Sequence, residues 1–150
     1  VRNNSDKEKR QKTYIEALET LSDFEITYGH FQSHVETCRR CGHSYPYSNE
    51  KMTDVNIAVA MIEDAHNDLY DTAFLITGDS DLVPPIKSIH KIFPNKRVFV
   101  AFPPQRENIS VKNVAKGCLT IGRKKLMDAQ FSVEVIKKNG YILKRPNLWS

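Results

Sequence analysis

The sequence "YDTAFLITGDSDLVPPI", residues 70–86, joins an apolar run to two acids placed two residues apart. The run is rich in residues that favour β-strands and ends at Gly78, and a helix is predicted to start near Leu82. Asp79 and Asp81 therefore fall on the turn that follows a buried strand. Open α/β sheets bind their ligands at this position, outside the carboxyl ends of the strands.

The segments on either side of this stretch extend the pattern. A helix is predicted from Thr53, with Thr53 as its N-cap, and "KRVFVAF", residues 96–102, reads as a strand buried on both faces. Strand and helix alternate from Phe24 to Gly122, which predicts an α/β fold with a mostly parallel sheet. The other predicted elements are a first helix over 5–21, a strand over 23–31, a helix over 110–117, a short strand over 118–122, a short helix over 123–131 and a C-terminal β-hairpin turning at Asn139–Gly140.

Three acids are predicted to converge at one edge of this sheet. In a right-handed strand–helix–strand unit, Asp54 at the start of its helix shares an edge with Asp79 and Asp81 after the next strand. Such a group can hold Mg²⁺ or Mn²⁺ through oxygen ligands. Each acid alone also fits a local role: Asp81 as an N-cap, and Asp54 as a favourable charge on the helix dipole. Thr77 or Ser80 would orient a phosphate or a metal-bound water, and Ser80 equally fits a capping role.

The bulk composition is that of an ordinary soluble domain. The chain has 150 residues, of which 40% are hydrophobic and 27% charged, and we expect one domain over residues 1–150. No apolar run is long enough for a membrane helix, and the polar N-terminus does not resemble a signal peptide. Three cysteines, an odd number, favour a reducing, cytoplasmic location over a secreted disulfide scaffold.

Charge is distributed unevenly along the chain. Residues 1–86 carry 8 Lys and Arg against 15 Asp and Glu, whereas residues 87–150 carry 14 against 3. Cations that hold phosphates beside acids that hold a metal would suit an enzyme that cleaves a polyanion. A solvated basic surface explains the charge equally well.

The stretch Lys51–Pro104 resembles the NYN domain, a branch of the PIN-like nucleases, through "K-x-T-D-V-N-I-A" and "D-T-A-x-L-I-T-G-D-S-D-L". The resemblance implies a PIN-like three-layer α/β fold and metal-dependent hydrolysis of RNA, with Asp54, Asp79 and Asp81 as metal-binding and catalytic residues. The family's first strand carries an acid in a "D-G-x-N" pattern, and no stretch before Asp54 matches it. Either the chain is N-terminally incomplete, lacking a central strand and one ligand, or the lineage has lost them.

Residues 30–50 show no sustained period and are predicted to form a loop excursion that carries Cys38, Cys41 and His43. The Cys-x-x-Cys-Gly pattern is a common zinc half-site, and structural zinc needs four ligands. His34 and His43 would complete the site, or a second chain would, which leaves a homodimer open. The other interpretation is a pair of reduced thiols in a surface loop. Cys118 opens a predicted strand and is expected in the core.

A basic C-terminal extension is predicted over residues 123–150. Arg123, Lys124 and Lys125 stand at a predicted helix start, where cations oppose the helix dipole, so we expect them to bind RNA phosphates. A solvated face is the alternative for the rest of the extension.

The sequence shares features with three functional classes. The first is a metal-dependent ribonuclease, and the second is a non-catalytic RNA-binding module with a degenerate PIN-like site. The third is a haloacid dehalogenase-like phosphatase, a class that also uses a "G-D-S-x-x-D" signature. Those enzymes need an upstream "D-x-D-x-T" strand, which this chain lacks.

Overall fold

The computed structural model describes residues 4–149, apart from the side chains of Asn4, Ser5 and Ser48. The chain divides into two compact units, Thr27–Arg123 and the combination of Val1–Ile26 with Lys124–Ser150. No helix among the described residues is both long and apolar enough to span a membrane. The helices are α1 (Asn4–Leu18), α2 (Thr53–His66), α3 (Val83–Ile92), α4 (Ile109–Lys112) and α5 (Arg123–Asp128). The strands are β1 (His30–Thr37), β2 (Ser44–Lys51), β3 (Thr72–Ile76), β4 (Arg97–Phe102), β5 (Gly117–Thr120), β6 (Glu134–Ile136) and β7 (Ile142–Lys144).

A parallel sheet with the strand order β3-β4-β5 organises the unit Thr27–Arg123. Its register places Phe74 beside Phe99, and Phe99 beside Gly117. The α/β class and the mostly parallel sheet predicted from the sequence are confirmed. All three strands run in the same direction, so their carboxyl ends and the loops that follow lie at one edge.

The core lies between one face of this sheet and the helices. Ile86 and Ile89 of α3 and Val98, Val100 and Phe102 of β4 are almost completely inaccessible to solvent. Ala65 of α2 and Val111 of α4 complete the cluster. Burial of these apolar side chains is the main stabilising contribution to the unit, at roughly 1.5–3 kcal/mol for each large aliphatic or aromatic one.

The opposite face of the sheet is more exposed than the sequence suggests. Phe74 and Ile76 of β3 retain 67% and 65% of their accessible surface, and Leu119 of β5 retains 45%. Cys118 is exposed, so its prediction as a core residue is wrong. Cys118 pairs with the buried Val100 and so lies on the core face, but it belongs to the edge strand β5, which contributes no residue to the buried cluster. Phe74, Ile76 and Leu119 are exposed because the core helices pack on the other face, that of Ala73 and Leu75.

Two local predictions upstream of β3 are also wrong. Residues 24–28 form no strand, and the predicted loop excursion over 30–50 is an antiparallel hairpin in which β1 pairs with β2 along its full length. The eight residues of β1 are all exposed. Without a buried face the strands show no apolar alternation, which is why their period could not be detected.

The second unit contains α1 and the hairpin β6–β7. Tyr14 packs edge-on against Phe131 and Trp149, with ring centroids 6.3 and 6.0 Å away. The predicted C-terminal hairpin is confirmed, and Gly140 adopts φ +82° in its turn, a conformation that favours glycine.

Candidate metal centre

The three acids of the sequence analysis meet at the carboxyl edge of the parallel sheet. Asp79 and Asp81 follow β3, and Asp54 lies in the first turn of α2. One carboxylate oxygen from each acid lies within 4.8 Å of the corresponding oxygens of the other two, and all three residues are exposed. The parallel direction of the strands therefore brings the three side chains together at this edge, as the sequence predicts.

Asp79 is held by a short network of hydrogen bonds at the end of β3. Its backbone N–H donates to Thr77 Oγ1 at 3.0 Å, and its carboxylate Oδ1 accepts from the backbone N–H of Asp81, also at 3.0 Å. Asp79 is thus the N-cap of the 3₁₀ turn Ser80–Leu82, which leads directly into α3. The alternative role of Asp81 as an N-cap is wrong, because Asp79 caps the 3₁₀ turn and Leu82 is the N-cap of α3.

Asp54 is positioned near Asp79 by the start of α2. The N-cap is Met52, which has a left-handed backbone with φ 78°, and not Thr53 as predicted. The Thr53 hydroxyl donates instead to the carboxylate of Glu50 at the end of β2. The first turn of α2 therefore begins against the hairpin, and Asp54 projects from that turn toward the other two acids.

The donor set suits a hard divalent cation. All three groups offer carboxylate oxygen, the ligand type that Mg²⁺ and Mn²⁺ prefer, and no sulfur or imidazole joins them in the group. Among the ion pairs formed by residues 4–149, none involves Asp54, Asp79 or Asp81. Three anionic groups this close repel one another, and a cation between them relieves that repulsion.

Gly78 fixes the path of the loop beneath the acids. A Cβ at this position would lie 2.2 Å from the backbone oxygen of Arg106, so only glycine allows the two loops to approach this closely. The Asn108 side-chain amide donates to the Gly78 carbonyl at 3.2 Å, while its oxygen accepts from the N–H groups of Ser110 and Val111. Asn108 thus ties the loop after β4 to the loop that carries Asp79.

Asn108 was missed in the sequence analysis, although a signal was present. Asparagine is a preferred N-cap residue, and it stands directly before the helix that starts at Ile109. Glu107 was also missed: its carboxylate accepts from the hydroxyl of Thr120 at the end of β5. Together these two residues link the loop after β4 to the loop after β3 and to the end of β5.

The two predicted orienting residues differ in their environment. Thr77 Oγ1 already accepts one hydrogen bond, from Asp79 N–H, so its own O–H remains a donor for a ligand. Ser80 is exposed, and its backbone oxygen accepts from Val83 N–H within the cap.

The predicted basic cluster stands at the start of α5. Arg123, Lys124 and Lys125 are the first three residues of this short helix and are exposed. In the ion pairs of the described residues, none of these three cations has an acidic partner.

The predicted zinc ligands are brought together only in part. Cys38 and Cys41 lie in the turn between β1 and β2, within side-chain hydrogen-bonding reach of each other. His34 instead packs its ring against Tyr47, with a centroid distance of 5.3 Å. In the described part of the chain, neither His34 nor His43 joins the two sulfur atoms in a group of three potential ligands.

Comparison with known proteins gives one family match and one solved structure. A family model described as the NYN domain matches residues 3–122, which is most of the chain. No match is found among curated proteins. A crystal structure of a protein of unknown function from Vibrio parahaemolyticus is similar, with 22% identity, a TM-score of 0.48 and coverage of 77% of this chain. The chain spans 62% of that protein's length.

Proposed function

This chain belongs to the NYN domain family of the PIN-like superfamily, and on that premise we propose that it is a metal-dependent ribonuclease. The observation that carries the proposal is the juxtaposition of Asp54, Asp79 and Asp81 at the carboxyl edge of the sheet. The substrate would be RNA, the cofactor Mg²⁺ or Mn²⁺, and the reaction the hydrolysis of a phosphodiester bond.

Each side chain has a defined task in this proposal. Asp54, Asp79 and Asp81 would hold the cation, which when bound neutralises the scissile phosphate and lowers the pKa of an attacking water. A carboxylate that is only partly engaged would accept the proton of that water. The free O–H of Thr77 would donate to a phosphate oxygen. The exposed cations Arg123, Lys124 and Lys125 would bind RNA phosphates.

The test is a manganese titration by calorimetry, with cleavage of labelled single-stranded RNA measured in parallel. In Asp79→Asn the amide oxygen can still accept from Asp81 N–H, so the cap is kept while a charge is lost. We expect manganese affinity and cleavage to fall by about 100-fold or more. Mutation of a residue that only supports a metal ligand already lowers affinity or activity by about 10–100-fold. Asp64→Asn, the same change in the last turns of α2, is the matched control and should behave as the unmodified chain.

Either of two results would refute the proposal. Manganese binding that survives in Asp79→Asn would move the metal away from this edge. Salt-sensitive RNA binding without metal-dependent cleavage by the unmodified chain would identify a non-catalytic RNA-binding module instead.

A further inference from the structure

We propose that the turn between β1 and β2, residues 38–43, is half of a structural zinc site, and that the same turn of a second copy of this chain supplies the other half. The site would contain Cys38 and Cys41 from each copy. It is separate from the carboxylate group, and it does not depend on the proposed nuclease activity.

The turn has the form of a metal-binding knuckle. The N–H of Cys38 donates to the carbonyl of His43 at 2.8 Å, and the N–H of Gly42 donates back to the carbonyl of Cys38 at 2.9 Å. Gly42 adopts φ +70°, a conformation that residues with a Cβ rarely adopt. The closed turn holds the Cys38 and Cys41 side chains next to each other.

Both sulfur atoms of the turn are available as ligands, and cysteine sulfur is a typical ligand of structural zinc. All three cysteines of the chain are free thiols, and Cys41 is exposed at the tip of the hairpin.

Ligands from the same chain do not complete the site. His34 lies four residues before Cys38 in an extended strand, and at about 3.3 Å per residue it is too distant to share a metal with the turn. The His34 ring also packs against Tyr47, and its Nε2 lies 3.8 Å from Oε1 of Glu36. Among the described residues, no histidine or carboxylate joins the two sulfur atoms to make a group of three.

A second copy satisfies both the coordination and the charge of such a site. Structural zinc takes four ligands in a tetrahedron, and a two-fold axis through the metal would bring two thiolates from each chain. A zinc ion with four thiolates carries a net charge of −2. Arg39 and Arg40 are exposed in the same turn, so the two copies would place four guanidinium groups around this anionic centre. Without the centre the same cations would repel each other.

The experiment is a zinc titration against a chromophoric chelator under reducing conditions, with the oligomeric state followed by sedimentation velocity. We expect one zinc per two chains, with a zinc-dependent dimer that EDTA returns to monomer. Cys41→Ser should abolish zinc binding and dimerisation together, whereas His43→Ala should retain both. Substitution by Co²⁺ should give the absorption of a tetrahedral tetrathiolate centre.

Two further arms keep the result unambiguous. The titration is repeated in Asp79→Asn, so that zinc held by the carboxylates is not counted, and circular dichroism checks that each variant is folded. One zinc per monomeric chain that is lost in His43→Ala would overturn the two-copy site. The absence of zinc binding to a folded, reduced chain would overturn the site altogether.

Discussion

At the level of single residues, Asp79 combines an observed structural role with a proposed chemical one. Its carboxylate caps the 3₁₀ turn that leads into α3 and also faces Asp54 and Asp81. Removing a capping side chain costs about 1 kcal/mol, a small part of the stability of a domain. Substitution by asparagine therefore separates the two roles, because asparagine is as good a cap as aspartate but carries no charge.

Gly78→Ala is expected to damage the site through the backbone. The added Cβ would collide with the Arg106 carbonyl, so the loop carrying Asp79 must move, at a cost of about 1–3 kcal/mol. Manganese affinity should fall as well, because Asp79 follows directly. Calorimetry and urea unfolding measure the two effects.

Gly122→Ala is the matched control for this prediction. A Cβ at Gly122 meets nothing within 4 Å, and its φ is not in the left-handed region, so stability and manganese affinity should be unchanged or slightly improved. If Gly78→Ala behaved in the same way, the two loops would not be as closely packed as described.

The acids could be predicted from the sequence, but their supporting residues could not. Asp54 and Asp79 were placed together by the direction of parallel strands, which follows from the order of elements alone. The contacts of Gly78 and Asn108 depend on the conformation of the loop after β4, where Gln105 has φ 60°. No rule of periodicity gives that conformation. The metal itself and the role of each acid remain predictions.

At the level of secondary structure, a hydrogen bond to the neutral imidazole of His90 connects β4 to α3. His90 Nε2 accepts the backbone N–H of Val98 at 3.2 Å, at the start of β4. Burial, and then the charge of Lys116, lower the pKa of His90 below its ordinary value of 6.5. An acceptor at this position satisfies the backbone N–H of Val98.

His90→Gln is expected to flatten the pH dependence of stability in mildly acidic solution. Because the pKa of His90 is lowered by folding, its contribution is complete above about pH 6.5 and is lost as pH falls toward the folded-state pKa. Urea unfolding at about pH 7.5 and 5.5 should show a smaller difference in the variant. An equal difference in both proteins would show that His90 does not link α3 to β4 in this way.

The hairpin β1–β2 shows where sequence patterns fail for whole elements. Elements packed on the core, such as α3 and β4, were recognised because burial imposes an apolar period on them. β1 and β2 pair along their backbones, but none of their described side chains is buried. These strands therefore show no apolar period. The same reasoning explains why β3 was found but its exposed face was not.

On the scale of the whole molecule, the acids at the two edges of the parallel sheet differ in whether they pair with a cation. Where β3 and β4 begin, Lys96 pairs with Asp68, lies 3.7 Å from Asp71 and sits over the ring of Tyr70. Lys96 is 7% exposed, so its ammonium is well shielded by these partners. Where the strands end, no cation among residues 4–149 forms an ion pair with Asp54, Asp79 or Asp81. The contrast favours binding of an external cation at the carboxyl edge.

Asp68→Asn is expected to lower stability near pH 7 and to reduce the loss of stability in acid. The hydrogen bond and charge of Lys96 lower the pKa of Asp68 below 3.8, so the contribution of the pair is complete above about pH 4 and lost as pH falls through the folded-state pKa. Asparagine also tolerates the φ of 58° at this position.

Unfolding midpoints at about pH 7 and pH 3 measure this effect. Asp71→Asn is the control, and it should have a smaller effect because its carboxylate is 3.7 Å from Lys96 Nζ and is 94% exposed. An acid dependence that is unchanged in Asp68→Asn would refute the assignment to this pair.

The exposure of the three carboxylates has a consequence for inheritance. Side chains that contribute little to packing can be exchanged by drift without loss of the fold, whereas a change at Phe102 or Ile86 would open a cavity. Proteins with this architecture can therefore lose a metal-dependent activity by single substitutions and still keep the same fold. In a lineage of such proteins, descent of the fold and descent of the activity are separate events, and each member has to be assayed on its own.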